Sequence, residues 1–360
     1  YELRYVSLFD RPDAAVTLPG LFGVRIPGYD RTDGLSLPFA PLVAVPGTTV
    51  QLEPRVTYRS QLGKVYPSLA LAASLNSRTT LDAVVERVTP TNEAWIWSSL
   101  LNSAAALVSG DDNRNYFRAT RADVSLARAW NWTGSSLVPY IGARWERAQS
   151  ARPDSFATGG PWSFEGRRDR EDMLRPNPPI DSGTIVSGLV GATLKQDMDG
   201  IKARARVDVE AGRLSPRFGE SRSFVQTTFD GAITFATFGS QSLALEGHAV
   251  GSSSNTPRQR WAYVGGLGSI PTINMLSRGG DELVYLDGRY NIPIDRFKLP
   301  LVGPPVVVLR DVLAGADVAR WPSLAQAIGV RVAISAVYAE YLIDPARRHS
   351  FVGVGLSFAR

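Results

Sequence analysis

The chain has 360 residues, 44% hydrophobic and 20% charged, with a formal net charge of +5. That balance excludes wholesale disorder, and no stretch nears the ~18 consecutive apolar residues of a membrane helix, although a membrane β-barrel would show no such run either. Zero cysteines exclude disulfides, thiolate zinc sites and cysteine nucleophiles, and two histidines, His248 and His349, leave little material for histidine catalysis or metal binding.

In chain order, residues 1–18 read as a lead-in segment. Tyr1-Glu2-Leu3-Arg4-Tyr5 lacks the basic start and apolar core of a secretory signal, so the sequence is either mature or starts within a longer chain. Residues 19–360 read as one all-β domain of sixteen strands. The first five are 19–27, 33–45, 48–60, 65–76 and 78–90, with tight turns at Val45-Pro46-Gly47 and Leu75-Asn76-Ser77. A long loop, 91–114, holds a helix over 92–108, with Thr91 as N-cap and Gly110 as stop. The helix lacks a basic face, so it is expected to cap one end of the sheet rather than anchor to a membrane. Strands 115–130 and 134–148 follow, then the long loop 149–181. Strands 182–197, 201–214, 222–236 and 240–253 are joined through turns at Asp197-Met198-Asp199-Gly200 and Phe238-Gly239-Ser240. The long loop 254–280 precedes strands 281–293, 304–318, 326–334, 336–344 and 348–358.

The alternation is plain in two strands. Ile201, Ala203, Ala205, Val207 and Val209 share one face, and Lys202, Arg204, Arg206, Asp208 and Glu210 the other. Val50, Leu52, Pro54, Val56 and Tyr58 alternate likewise with Gln51, Glu53, Arg55, Thr57 and Arg59. One apolar and one charged face suit either a soluble sheet or a membrane barrel. Loop sorting decides: tight turns fall on one rim and all the long loops on the other, as in an outer-membrane barrel with both termini on the periplasmic rim. Most strands also have the ~9–11 residues that cross a bilayer at a tilt. Aromatics near strand ends (Tyr58, Tyr66, Tyr116, Phe117, Trp130, Trp132, Tyr140, Trp145, Tyr290, Phe358) fit interfacial girdles, or simply the preference of aromatics for strands. The fold class is therefore a transmembrane antiparallel β-barrel of about sixteen strands with a short loop helix.

The C-terminal third carries a family resemblance. Gly265, Gly266 and Gly268 lead through a loop to Arg278-Gly279-Gly280-Asp281-Glu282, followed by a strand ending Arg289-Tyr290-Asn291-Ile292-Pro293. This resembles the sixth-loop region and following strand of the BamA/TamA-like outer-membrane assembly-factor superfamily, the bacterial surface-antigen barrel. The ending Phe351 to Phe358, alternating with glycine, resembles the C-terminal signal of outer-membrane barrels. Tyr29-Asp30-Arg31-Thr32-Asp33-Gly34-Leu35 and Asp111-Asp112-Asn113-Arg114-Asn115-Tyr116-Phe117 resemble an entry motif and a post-helix motif of uncharacterised barrels in the superfamily. In the family a Val-Arg-Gly-Phe loop tip places its Arg against an Asp of the thirteenth strand. This chain reads Ser269-Ile270-Pro271-Thr272-Ile273 at the tip, with Asp317 in the partner position. Family POTRA domains, which receive client polypeptides, are not read in these residues, which argues against insertase activity of the chain as given.

The resemblance implies a bacterial outer-membrane barrel that handles polypeptide or lipid, or anchors a larger assembly. Its partners would be outer-membrane lipid and periplasmic or other outer-membrane proteins. Basic residues are spread among acids over many strands, so nucleic acid is not expected. No cofactor, metal or catalytic residue is expected. His248 shares a face with Glu246, away from lipid, and Asp111-Asp112-Asn113 lacks the spaced ligands of a calcium site. The candidate lumen charges are Arg55, Arg59, Lys202, Arg204, Arg206, Asp208, Glu210, Asp230, Glu246, Asp287 and Arg289. They fit either a barrel plugged by its loops, which pair with them, or a porin-like channel whose charge sets selectivity. A soluble β-rich binding protein is the third reading.

Overall fold

A computed structural model describes residues 16–151, 175–295, 304–316, 324–335 and 337–356. Nineteen paired segments form one sheet, and three strands are each split in two, which leaves sixteen strands in an antiparallel meander.

β1 is the most broken, with Val16–Thr17 and Gly28–Asp30 as its regular pieces. Between them only backbone bonds from Arg25 to Pro38 and from Ala40 to Gly23 reach the next strand. The sheet thus begins inside the expected lead-in, and the expected first strand, 19–27, is mostly irregular. Pro19 and Pro27 lack the amide a ladder needs, and Gly20 and Gly23 take positive φ. β2 is Gly34–Phe39 and Leu42–Ala44, interrupted at Ala40-Pro41.

The remaining strands follow the expected spans closely. They are β3 (Val50–Arg59), β4 (Lys64–Asn76), β5 (Thr79–Val88), and β6 (Phe117–Arg128, extended by Trp130–Trp132). Then come β7 (Ser135–Ser150), β8 (Gly183–Met198), β9 (Ile201–Pro216), β10 (Arg222–Ala236) and β11 (Ser242–Ser252). The last five are β12 (Leu283–Pro293), β13 (Val306–Ala316), β14 (Ala325–Ile334), β15 (Val337–Asp344) and β16 (His349–Leu356). Each pairs with its sequence neighbours, but among the described residues no ladder joins β16 to β1.

Face assignment follows the alternation. On β14, Ile328, Val330, Val332 and Ile334 stand exposed, while Ala325 and Ala327 on the other face are buried. Exposed Val186 and Val190 on β8 and Val352 and Val354 on β16 continue the outward apolar stripe. A face of this extent is strongly unfavourable in water and calls for an apolar surrounding. Trp130, Trp132 and Trp145 are exposed as girdle residues would be, but Tyr66, Tyr116 and Phe117 are buried, so the girdle expectation fails for these three.

The loop helix α1 spans Ser99–Val108, with Ser98 as N-cap, and ends before Gly110 at positive φ. It starts seven residues later than the pattern predicts. Asn92 to Trp97 are instead drawn into contacts that a continuous helix would not allow. In the loop 254–280, Ala262–Val264 pairs with Arg278–Gly280 as a separate two-stranded hairpin.

Candidate functional site

Three loop segments meet inside the long-loop end of the sheet. The Asn92 amide donates to the carbonyls of Gln259 (2.8 Å) and Trp261 (2.7 Å). Trp95 stacks on His248 of β11, with ring centroids 4.3 Å apart. Ile96 is buried with Met275 and Leu276. Gly268 lies under this contact: a Cβ there would fall 2.4 Å from Ile96 Cγ2, so only glycine lets the loops approach so closely. From the other side, Gln259 exchanges hydrogen bonds with the backbone of Asp181.

A second knot surrounds Arg31. Its guanidinium donates to the carbonyls of Arg114 (2.7 Å) and Arg175 (3.2 Å) and to Asn177 Oδ1 (2.5 Å). Its backbone amide donates to Asp112 Oδ2 at 3.0 Å. Asp112 Oδ1 accepts from Asn102 and from the Tyr116 hydroxyl. The carboxylate considered for calcium is thus filled by protein donors, and no metal-holding cluster exists among the described residues. Burial and the Asp112 charge push the Tyr116 hydroxyl above its ordinary range.

Glu93 lies between the knots. Its Oε2 accepts from the Asn115 amide at 2.9 Å and bonds the Thr91 hydroxyl, while its buried Oε1 has no partner. Burial raises its pKa to about 7, against these hydrogen bonds and the Arg175 charge, which oppose the rise.

Two arginines fasten the loop 254–280 to the wall. Arg260 donates to Glu210 of β9 (2.9 Å) and to Glu146 of β7 (2.9 Å). All three are buried, and the two carboxylates hold the arginine's proton more tightly than burial loosens it. Arg310 of β13 is gripped by Asp287 (2.9 Å) and Glu340 (3.1 Å) and donates to the Ser269 carbonyl at 3.4 Å. Beside it Ile270 is 0% exposed, packed among Leu283, Val312, Ala327 and Leu342. The family arrangement is therefore inverted: the cation sits on the thirteenth strand and the loop tip supplies a carbonyl. Asp317, expected as the strand partner, lies outside the described residues.

Of the other loop residues expected, Gly265 and Gly266 take positive φ and shape the turn beneath the tip. The Gly266 amide donates to Ile270 and Ile273 carbonyls. Arg278, Gly279 and Gly280 form one arm of the loop hairpin.

The lumen charges divide. Arg59 is buried against Asp33 and Thr89. Glu210 meets Arg260, Arg289 pairs with Glu246 at 2.5 Å, and Asp287 meets Arg310. Asp230 lies 2.6 Å from Nδ1 of His248. His248 Nε2 is buried without a partner, and Ser252 accepts from Gln226 instead, so no nucleophile–base pair forms there. Toward the short-turn rim Arg55 pairs with Glu53, Arg206 with Asp208 (2.6 Å), and Lys202 lies a loose 3.8 Å from Asp197. Arg204 is exposed, directly opposite Lys195. Phe351 packs against the cluster around Ile270. Phe358 lies outside the described residues.

Arg31, Glu146, Arg260, Arg310 and Glu340 were not among the expected site residues. Arg310 had a readable signal: a lone cation at an inward position between Val308 and Val312. Arg260 had none, since its loop shows no periodicity.

No protein-family model matches the sequence, and no curated protein matches it. Among solved structures, BamA from Haemophilus ducreyi lacking POTRA domains 1–3 is similar with a TM-score of 0.55 at 11% identity, over 92% of this chain and 67% of that one. CdiB from Escherichia coli gives 0.46 at 14% identity, covering 93% of this chain and 62% of that one. CdiB from Acinetobacter baumannii gives 0.47 at 12% identity, covering 92% and 58%. The BamA likeness speaks to the fold: this chain has a BamA-like β-barrel architecture.

Proposed function

We propose that the protein is a bacterial outer-membrane β-barrel, not an enzyme, that handles polypeptide or lipid at the seam between β1 and β16. One observation carries this reading: the outer edge of β16 has no ladder partner among the described residues, and β1, which would face it, is broken into short pieces. An unpaired strand edge presents free N–H and C=O groups to any extended chain that enters. The outward stripe of valine and isoleucine supports the membrane location over a soluble binding protein. The loop plug, with Arg260 tied across to β7 and β9, favours a closed scaffold over a passive porin.

The chain lacks cysteine, so the seam can be closed selectively. Cysteines placed along Leu21–Ile26 and at Val352 or Val354, joined by a short crosslinker, are expected to abolish the cellular phenotype of the wild-type gene. A crosslinked barrel that complements fully would remove seam opening from the mechanism. Membrane fractionation and heat-dependent gel mobility test the location itself, and recovery in the soluble fraction without detergent would refute it.

A further inference from the structure

Toward the short-turn end of the inward face, Lys195 of β8 stands directly opposite Arg204 of β9. Side chains so placed have their Cβ atoms about 4.5–5.5 Å apart, and like charges there repel. Both are exposed, and among the described residues neither makes a hydrogen bond or an ion pair. The register continues the row through Ser136 of β7 on one side and Ala232 of β10 on the other. Neither brings a negative charge, and both are small. The hydroxyls of Ser136 and of Thr193, the next inward residue of β8, are likewise unclaimed among the described residues.

The acids nearby are engaged elsewhere. Asp208 accepts from the Tyr140 hydroxyl at 2.5 Å and from Arg206 at 2.6 Å. Gly191 makes that knot possible: a Cβ there would fall 2.5 Å from Tyr140 Cε1 and 2.6 Å from Asp208 Oδ1. Asp230 lies 2.6 Å from His248 Nδ1, and Glu246 pairs with Arg289 at 2.5 Å. Asp197 remains, 3.8 Å from Lys202. One loosely held aspartate facing the cations of Lys195, Lys202 and Arg204 leaves two positive charges uncompensated. The plug does not supply the balance, since Arg260 meets Glu210 at the other end of β9 and is itself a cation.

Every unclaimed group here donates hydrogen bonds, and the two cations cannot accept any, so the complement is an anion rich in acceptors. A phosphate monoester carries close to two negative charges at neutral pH and three strong acceptor oxygens. A carboxylate carries half that charge. The flat guanidinium of Arg204 matches two phosphate oxygens at once, and the Lys195 ammonium reaches a third. We propose that Lys195 and Arg204, with the hydroxyls of Ser136 and Thr193, bind a phosphate group on the inward face of the sheet. A soluble phosphate ester and the headgroup of a phosphatidic-acid-like lipid both present that group. The site stands apart from the seam between β1 and β16.

Calorimetric titration of the purified full chain in detergent tests the site, with glycerol phosphate as the soluble probe and dihexanoyl phosphatidic acid as the lipid probe. Glycerol phosphate is expected to bind, and Arg204→Gln and Lys195→Gln are each expected to weaken it about five-fold or more. Lys195→Glu, which sets an acid opposite Arg204, is expected to abolish binding. Arg128→Gln removes the same charge from an exposed position on the outward face at the same end, and is expected to leave the affinity unchanged. Tighter binding of phosphatidic acid than of glycerol phosphate, with the same sensitivity to Arg204→Gln, would identify the ligand as a lipid headgroup. Equal or weaker binding would identify a soluble phosphate. Binding of neither probe, or a loss with Arg128→Gln as large as with Arg204→Gln, would overturn the site. A short aspartate peptide that binds more tightly than both probes would overturn phosphate as its ligand. The seam reading is untouched by each of these results and falls only with the crosslinking test above.

Discussion

β9 alone shows two ways of keeping charge inside a barrel. At its long-loop end Glu210 is buried, bonded to Ser187 and held by Arg260. At its short-turn end Lys202 and Arg204 stand exposed, one loosely paired and the other opposite a lysine. The residues alternate along one strand in one pattern, so the difference does not come from the strand. It comes from the loop that reaches Glu210 and not Lys202. A buried charge must be met by a fixed partner, whereas an exposed one is met by water. The charged stripe is thus a plug socket at one end and solvent-exposed at the other.

The difference can be broken deliberately. Arg260→Ala leaves Glu146 and Glu210 buried without their cation, a loss of ~3–5 kcal/mol to the plug. Conductance in planar bilayers is expected to rise from near silence to long openings. A variant as silent as wild type would show that Arg260 does not hold the plug. Ile270→Ala empties the pocket among Leu283, Val312 and Leu342, at about 2–4 kcal/mol, and is expected to give shorter, rarer openings in the same measurement.

Glu93 sharpens the contrast through pH. Its folded pKa of about 7 lies above the ordinary value of 4.5, so the folded plug binds more protons between those values. The plug is therefore firmest below the ordinary carboxylate range and loses up to about 3 kcal/mol as pH rises through 7. Glu93→Gln is expected to flatten the pH dependence of open probability between about pH 4.5 and 7, the window of that shift. A wild-type profile that is already flat would contradict the assignment. The smallest effect is expected at the other end. Arg204→Ala, at an exposed position, is expected to change thermal stability by no more than ~0.5 kcal/mol in a melting curve.

The sheet was largely legible in the sequence, because an apolar outward face and a charged inward face impose a period of two on the strands. Gly200 and Gly239, both at positive φ, mark their turns as turn chemistry requires. The pattern failed where other forces won. Asn92, Glu93 and Trp95 look helical in sequence but are pulled apart into separate contacts with Gln259, Asn115 and His248. Glu210 and Asp287 were recognisable as inward charges, but their partners Arg260 and Arg310 were not. Arg260 comes from an aperiodic loop more than a hundred residues from Glu146, and such a contact leaves no local trace. Arg310 did break an apolar run, and inward charges in otherwise apolar strands are the signal to read first in chains of this kind.

The meander also sets an order of assembly. Among the described residues every ladder joins strands that follow one another in the chain, so each hairpin can form as soon as its two arms exist, with little loop entropy to overcome. The contacts that span the chain belong to the plug: Arg31 to Arg175, and Arg260 to Glu146. These must wait until the wall has curled far enough to bring its distant strands into reach. The wall is therefore expected to form first and the stopper to seat last, so that a newly made barrel passes through an unstoppered stage. A time-resolved measurement would see strand signal rise before Trp95 fluorescence settles.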